Sequence, residues 1–140
     1  MTTAIDTNAL VALWDAGDTL HVSARQALEA AFGQGNLVIA GVVYAELLAA
    51  PGQTEGFLER FCEETGIQVE WEMTEGIWRA AGRAFQGYAG RRKKQTGVTP
   101  RRVLADFLIG AHALVNGYRL LTLDDGNYRA SFPRLRVVAI

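Results

Sequence analysis

Four acidic side chains stand at the edges of apolar segments rather than on water-facing stripes, namely Asp6, Glu46, Asp106 and Asp124. A carboxylate with apolar neighbours loses part of its hydration, and several carboxylates in one place repel one another. Such a set persists only if the pKa values of the carboxyl groups are raised or if a cation lies among them. The sequence therefore predicts a binding site for a divalent metal ion.

The ligand types in this set indicate which ion would bind. Carboxylate oxygens without histidine or thiolate favour Mg²⁺ or Mn²⁺ over zinc. Mg²⁺ keeps several of its waters, so a few carboxylates can hold it and leave room for phosphate oxygens and a nucleophilic water. The predicted chemistry is metal-assisted hydrolysis of a phosphate ester, in which one carboxylate could act as general base, with either one ion or two.

Short apolar runs alternate with helical patterns along the chain. Strands are predicted over about residues 3–6, 37–40, 67–71, 120–123 and 137–140. Helices are predicted over about residues 7–15, 22–32, 41–50, 75–94 and 103–116, and another begins after the N-cap Thr54. Five short strands with helices between them indicate one α/β domain over residues 1–140, a three-layer α/β/α sandwich around a parallel sheet.

This arrangement predicts that the four acids converge. Ligands of parallel α/β folds bind beyond the carboxyl ends of the strands, where the strand order reverses. Asp6 ends the first predicted strand and Asp124 follows the fourth. Glu46 lies in the helix after the second strand, and Asp106 lies near the start of the helix before the fourth. All four can therefore face one crevice.

Composition excludes several classes of protein. A hydrophobic content of 49% is too high for a disordered chain, and a net charge of −1 attracts neither nucleic acid nor an acidic membrane in bulk. The single cysteine, Cys62, can form neither an intramolecular disulfide nor a thiolate zinc cluster. With no signal-peptide pattern and no apolar run of about 20 residues, we expect a cytoplasmic protein without membrane contact.

The segments around the acids carry a resemblance to a known family. In order and element type they resemble the PIN-domain ribonucleases, particularly the VapC-type toxins of bacterial and archaeal toxin–antitoxin pairs. The segments are Ile5-Asp6-Thr7-Asn8-Ala9-Leu10, Ala45-Glu46-Leu47, Ala105-Asp106-Phe107-Leu108-Ile109-Gly110-Ala111-His112-Ala113 and Leu121-Thr122-Leu123-Asp124-Asp125.

The resemblance implies a sheet of strand order 3-2-1-4-5, Mg²⁺ or Mn²⁺ in an acidic pocket, endonucleolytic cleavage of RNA, a homodimer and a cognate antitoxin. The implied catalytic and metal-binding residues are Asp6, Glu46, Asp106 and Asp124, with Asn8 and Thr122 as supporting polar residues. Asp125 leaves the fourth acid ambiguous, although the family pattern favours Asp124. Gly41 stands where many members have serine or threonine, which removes a helix cap or a minor contact but no metal ligand.

Six positive charges occur within residues 91–102, immediately before the helix of Asp106. They are candidates for RNA contact, and the alternative is a solvated helix end. These residues are Arg91, Arg92, Lys93, Lys94, Arg101 and Arg102. Arg129 and Arg134, which follow Asp124, are weaker candidates for the same role.

Other conspicuous residues have structural interpretations. His112 is expected to be structural or exposed, and Trp14, Trp71 and Trp78 are expected in the core or at a dimer contact. Asp15, Asp18 and Asp125 are interpreted as loop or cap residues. Val22, Leu28, Ala31 and Phe32 form the predicted apolar face of the second helix, and small residues beneath Asp106 such as Gly110 would let another backbone approach.

Three other functions compete with a ribonuclease toxin. A housekeeping RNA-processing nuclease would use the same acids. A non-catalytic module that binds RNA or protein would keep the fold alone, which the complete acid set disfavours. A phosphatase-like or receiver domain with Asp6 as nucleophile is disfavoured because Asn8 occupies the position of a second aspartate and no lysine closely follows the late strands.

Overall fold

The computed structural model describes residues 1–98, 100 and 104–140. Five strands and seven helices occur within this part of the chain. The strands are β1 (Thr2–Ile5), β2 (Asn36–Ala40), β3 (Gln68–Glu70), β4 (Arg119–Thr122) and β5 (Val137–Ala139). The helices are α1 (Thr7–Trp14), α2 (His21–Phe32), α3 (Gly41–Ala49), α4 (Glu55–Thr65), α5 (Glu75–Thr96), α6 (Ala105–Val115) and α7 (Asp125–Ser131).

The strands form one parallel sheet in the order β3-β2-β1-β4-β5, which confirms the expected fold. β1 is central, and Thr3 pairs with Leu37 on one side and with Arg119 on the other. The strand order reverses between β1 and β4, so the carboxyl ends of these two strands open the crevice that such folds use. Right-handed crossovers place α1–α4 over one face of the sheet and α5–α7 over the other.

Local signals explain where the long helices begin. The side chains of Thr54 and Thr74 accept hydrogen bonds from the backbone N–H groups of Phe57 (3.1 Å) and Ile77 (3.3 Å) and so cap α4 and α5. α5 continues to Thr96 despite its glycines because its apolar side extends from Ile77 and Ala81 to Phe85 and Tyr88, which pack on Phe107 of α6. The capped ends and the buried stripe together offset the low helix propensity of glycine.

Several expectations about burial are wrong. Val22 and Phe32 of α2 are 50% and 63% exposed, because the buried side of this helix runs through Ala24, Leu28 and Ala31 and both residues lie off that side. Trp71 and Trp78 are 64% and 54% exposed, so of their two expected places, the core and a dimer contact, only the dimer contact stays a prediction. Trp14 does pack inside, edge-on to Phe57 and Phe61.

Two late helices also differ from expectation, α6 in where it begins and α7 in that it was not predicted. α6 begins at Ala105, and Val103 lies outside the described residues. α7 was not predicted at all, because Gly126 and Asn127 are typical of turns. Among the described residues, no helix has the length and apolar character needed to span a membrane.

Candidate active site

Asp6 lies immediately after the central strand and is only 4% exposed. Its backbone N–H donates to the carbonyl of Leu121 at 3.0 Å, which holds it at the junction of β1 and β4. Oδ1 accepts from the N–H of Thr7 at 2.8 Å, and Oδ2 accepts from the Thr122 hydroxyl at 2.7 Å. Burial raises the pKa of Asp6 and the charge of Asp106 raises it further, while the Thr122 hydrogen bond opposes the shift.

Glu46 reaches the same crevice from the second turn of α3. The Thr7 hydroxyl donates to Glu46 Oε1 at 2.7 Å, which ties the exposed glutamate to the first turn of α1. Thr7 therefore contacts Asp6 through its backbone and Glu46 through its side chain. Thr7 belongs to the motif of Asp6, but its contact with Glu46 is not evident from the sequence.

Asp106 lies in the first turn of α6, as expected. Its Oδ2 accepts from the Asn127 amide at 3.3 Å, and its Oδ1 accepts from the Tyr128 hydroxyl at 3.4 Å. Burial raises the pKa of Asp106, and the negative charges of Glu46 and Asp124 raise it further. Asp106 therefore interacts electrostatically with all three of the other acids.

Tyr128 is the main site residue that the sequence analysis missed. Its side chain is 2% exposed, and its hydroxyl lies beside two carboxylates. Burial and the charges of Asp6 and Asp106 raise the pKa of Tyr128, so the phenol stays protonated and acts as a hydrogen-bond donor. The available signals were the four-residue spacing from Asp125 to Arg129 and from Tyr128 to Phe132, which fits a short helix.

The structure distinguishes the two neighbouring acids after β4. Asp124 lies at the N-cap of α7 and lines the crevice, and its N–H donates to the Thr122 hydroxyl at 3.0 Å. Asp125 instead accepts from Arg129 Nε at 3.1 Å on the surface of α7. The expected helper Asn8 accepts from the N–H of Leu123 at 3.2 Å, which fixes the loop that leads to Asp124.

The crevice is a cavity of about 400 Å³, called here the acidic cavity. It brings together the four predicted acids and the helper Asn8, while Thr122 lies behind it, fully buried. Asp18 also lines this cavity, so its interpretation as only a loop or cap residue was incomplete, although it does accept from the N–H of Leu20 at 2.8 Å. The lining residues are Asp6, Thr7, Asn8, Val11, Asp18, Glu46, Asp106, Leu123 and Asp124.

The carboxylate oxygens of the acidic cavity suit a hard cation that keeps most of its waters better than an ion coordinated only by protein ligands. Within residues 1–98, 100 and 104–140, no three acidic, histidine or cysteine side chains converge tightly enough to hold one ion together. Mg²⁺ needs only one or two carboxylates because it keeps most of its waters. Asp6 and Asp106 are suited to this, because a cation between them would relieve the repulsion that raises their pKa values.

None of the predicted RNA-contact residues that the structure describes lines the acidic cavity. Arg91, Arg92, Lys93 and Lys94 are exposed in the last turns of α5, and Arg91 donates to the Ser131 hydroxyl at 3.4 Å. Arg101 and Arg102 lie outside the described residues. Of the weaker candidates, Arg129 is paired with Asp125 as described above, and Arg134 lies beyond the far end of α7.

His112 belongs to a separate structural cluster, as expected. It is 1% exposed, and its Nε2 lies 2.9 Å from Glu70 Oε1. The Tyr118 hydroxyl donates to Glu70 Oε2 at 2.8 Å. Because a carboxylate only accepts, Nε2 carries the proton, and Nδ1 has no partner within the described residues. We call His112, Glu70 and Tyr118 the histidine cluster.

Gly110 receives a side chain rather than a neighbouring backbone, in contrast to the expectation. A Cβ at this position would lie 2.4 Å from Phe132 Cε2, so only glycine leaves room for the ring. Phe132 follows α7 directly, and Tyr128 lies one turn earlier. The fit between Phe132 and Gly110 therefore sets how α7 presents Tyr128 to Asp106.

Comparisons with known proteins agree with this architecture. The sequence matches the PIN domain family over residues 3–133. No curated protein sequence matches the chain significantly.

Solved structures with the same fold include VapBC-1 from nontypeable Haemophilus influenzae, with a TM-score of 0.67 and 22% identity over 99% of this chain and 98% of the other. VapBC2 from Rickettsia felis, bound to a promoter DNA fragment, gives a TM-score of 0.66 at 19% identity over 99% and 98%. A toxin–antitoxin complex from Klebsiella pneumoniae gives 0.62 at 21% identity over 98% and 96%. The family match and the shared fold together show that the chain belongs to the PIN domain family.

Proposed function

We propose that this protein is a Mg²⁺- or Mn²⁺-dependent endoribonuclease and the toxin of a toxin–antitoxin pair. The observation that carries the proposal is the state of Asp106. Its pKa is raised by burial and by two further carboxylates of the same cavity, an arrangement that costs stability unless a cation binds there. A buried structural carboxylate would be paired with a basic side chain, and within the described residues Asp106 has only the neutral donors Asn127 and Tyr128.

The side chains of the acidic cavity have two proposed roles: some would hold the metal ion, and others would accept a proton or orient a reacting group. Thr122 and the N–H of Thr7 fix both oxygens of Asp6, and Asn127 and Tyr128 fix those of Asp106. These two carboxylates would hold the ion. When bound, Mg²⁺ or Mn²⁺ would supply positive charge for the scissile phosphate and a water of lowered pKa.

Glu46 is the best placed of the acids to accept a proton. It is exposed, and within the described residues only its Oε1 is engaged, by the Thr7 hydroxyl. Oε2 is therefore available to an attacking water in the cavity. Asp124, exposed at the N-cap of α7, would complete the set by orienting a metal-bound water or the leaving group.

The substrate is proposed to be RNA. The exposed cations at residues 91–94 lie on the helix packed against α6, which carries Asp106, and would contact phosphates on either side of the cut. The structural neighbours described above are toxin–antitoxin complexes, which favours a toxin over a housekeeping nuclease. A cognate antitoxin and a homodimer are accordingly part of the proposal, and exposed Trp71 and Trp78 are available for such contacts.

The catalytic assignment is tested with conservative variants and RNA cleavage. Asp6→Asn and Asp106→Asn should each lower Mg²⁺-dependent cleavage by about 100-fold or more, with circular dichroism unchanged. Asp125→Asn is the matched control and should cleave at nearly the parent rate, because Asp125 faces Arg129 and not the cavity. Cleavage by both site variants at the parent rate would show that the site is misassigned.

The toxin assignment is tested in cells. Expression of the chain should arrest growth, Asp106→Asn should not, and co-expression of a small reading frame adjoining this gene should relieve the arrest. Absence of arrest by a chain that cleaves RNA in vitro would favour the housekeeping nuclease. Tight RNA binding without cleavage in either metal would favour the non-catalytic module.

A further inference from the structure

A second concave surface lies between α5 and the segment that joins α7 to β5. It has a volume of about 340 Å³ and is called here the α5–α7 groove. Its floor is apolar and includes Ala80 and Phe132, which are 7% and 4% exposed. Its polar rim consists of Arg83, Ser131 and Arg134. The acidic cavity shares none of these residues.

The charge of the rim is uncompensated. Among the residues that the structure describes, no aspartate or glutamate lines the groove. Arg83 and Arg134 are exposed, and neither takes part in an ion pair within the described residues. Arg91 adds a third guanidinium at one end by its hydrogen bond to Ser131. Unpaired guanidinium groups around an apolar floor suit a ligand that carries both negative charge and a flat apolar surface.

We infer that the α5–α7 groove binds a nucleotide of the RNA substrate, an inference that rests on the proposed ribonuclease function. The volume of the groove accommodates one base with its sugar and phosphate. The base would lie against the floor formed by Phe132 and Pro133, and the phosphates on its two sides would contact Arg83 and Arg134.

The position of α7 connects this groove with the acidic cavity. Asp124 and Tyr128 face the carboxylates, while Ser131, the last residue of the helix, lines the groove. A helix of 7 residues is about 10 Å long, so a strand bound in the groove reaches the acids within a few nucleotides. An acidic peptide would also match the rim, but it would gain nothing from this continuity with the acidic cavity.

The test is RNA binding by a double variant in the Asp106→Asn background, which prevents cleavage during the measurement. Arg83→Gln with Arg134→Gln should weaken the Kd for a fluorescently labelled single-stranded RNA of mixed sequence by about 10-fold or more. The slope of log Kd against log salt should fall by about 1.4, because each phosphate contact to a single strand contributes about 0.7. The matched control, Arg25→Gln with Arg60→Gln, removes the same charge from α2 and α4 on the opposite face and should change the Kd less than twofold.

A second measurement locates the RNA directly. RNA carrying 4-thiouridine should crosslink to the peptide that contains Phe132 and Pro133, and the double variant should reduce that crosslink. Equal RNA binding by the groove and control variants, or crosslinks confined to other segments, would overturn the inference and leave the groove to an acidic protein partner. If the parent chain neither binds nor cleaves RNA, the proposed function itself fails.

Discussion

The acidic cavity and the histidine cluster lie toward opposite ends of α6, and the buried polar groups in them have opposite environments. In the histidine cluster, two donors meet the two oxygens of Glu70 at 2.9 and 2.8 Å. In the acidic cavity, Asp6 and Asp106 face other carboxylates, and their pKa values are raised. The first arrangement stabilises the fold, whereas the second is unfavourable until a cation enters. Within α6, this contrast separates His112, whose hydrogen bond is satisfied, from Asp106, which we propose to be functional.

The largest effect on stability is expected from His112→Ala, which tests the structural side of the contrast. The variant removes a buried ring and leaves one oxygen of Glu70 unpaired, which should cost about 3 kcal/mol and lower the Tm by roughly 10 °C. The loss should be the same with and without Mg²⁺, because the cluster lies away from the acidic cavity. A Tm within about 2 °C of the parent value would show that this cluster does not hold the fold.

A smaller loss is expected from Tyr128→Phe, which keeps the ring and removes the donor between the two carboxylates. Since the hydrogen bond to Asp106 is long at 3.4 Å, the free energy of unfolding should fall by about 1 kcal/mol. The rise in Tm on adding Mg²⁺ should also shrink, because Asp106 is no longer held in place. Tyr88→Phe is the matched control: Tyr88 packs on Phe107 at 5.3 Å between ring centroids and contacts no carboxylate, so both values should stay near those of the parent.

The pH dependence of the metal-free protein should show the repulsion in the acidic cavity. The pKa values of Asp6 and Asp106 are raised above 3.8 in the folded state. Below pH 3.8, both carboxyl groups are protonated in the folded and in the unfolded chain. Above it the unfolded chain loses its protons first, so stability falls as the pH rises through the folded-state pKa values. Chemical denaturation at several pH values should show this decline, and saturating Mg²⁺ should reduce it.

The smallest change, and the one of opposite sign, is expected from Asp106→Asn in metal-free buffer at neutral pH. The variant removes one charge from a repulsive set, so the Tm should stay the same or rise. Added Mg²⁺ should then stabilise the parent more than the variant. A clear loss of stability without metal would mean that Asp106 is a structural hydrogen-bonding group, and the contrast between the two regions would fail.

The sequence predicted the elements whose pattern is local. Apolar runs predicted the alternation of strands and helices and hence the parallel sheet. The places of the acids relative to the ends of strands predicted the convergence of Asp6, Glu46, Asp106 and Asp124. The burial of α2 was misjudged at Val22 and Phe32, because the alanines Ala24 and Ala31 define the buried side and small residues give only a weak apolar signal in the sequence. Asp124 and Asp125 could not be separated either, since their roles depend on Arg129 and on the loop held by Asn8.

The missed parts of the site depend on contacts between distant segments. α7 forms although Gly126 and Asn127 favour turns, because Phe132 fits over Gly110 and Tyr128 is buried beside Asp6 and Asp106. No local pattern encodes these contacts. The hydrogen bond from the Thr7 hydroxyl to Glu46 likewise joins residues 39 positions apart and forms only after α1 and α3 have packed together.

The hydrogen bond from Thr122 to Asp6 joins residues separated by 116 positions, which has a consequence for protein synthesis. At about 5 to 20 residues per second, the ribosome needs roughly 6 to 23 s to make the intervening chain. During this time Asp6 has neither its β4 neighbour nor the carboxylates contributed by α6 and α7. A nascent chain therefore has no assembled site until Thr122 and Asp124 have left the ribosome and β4 has paired with β1.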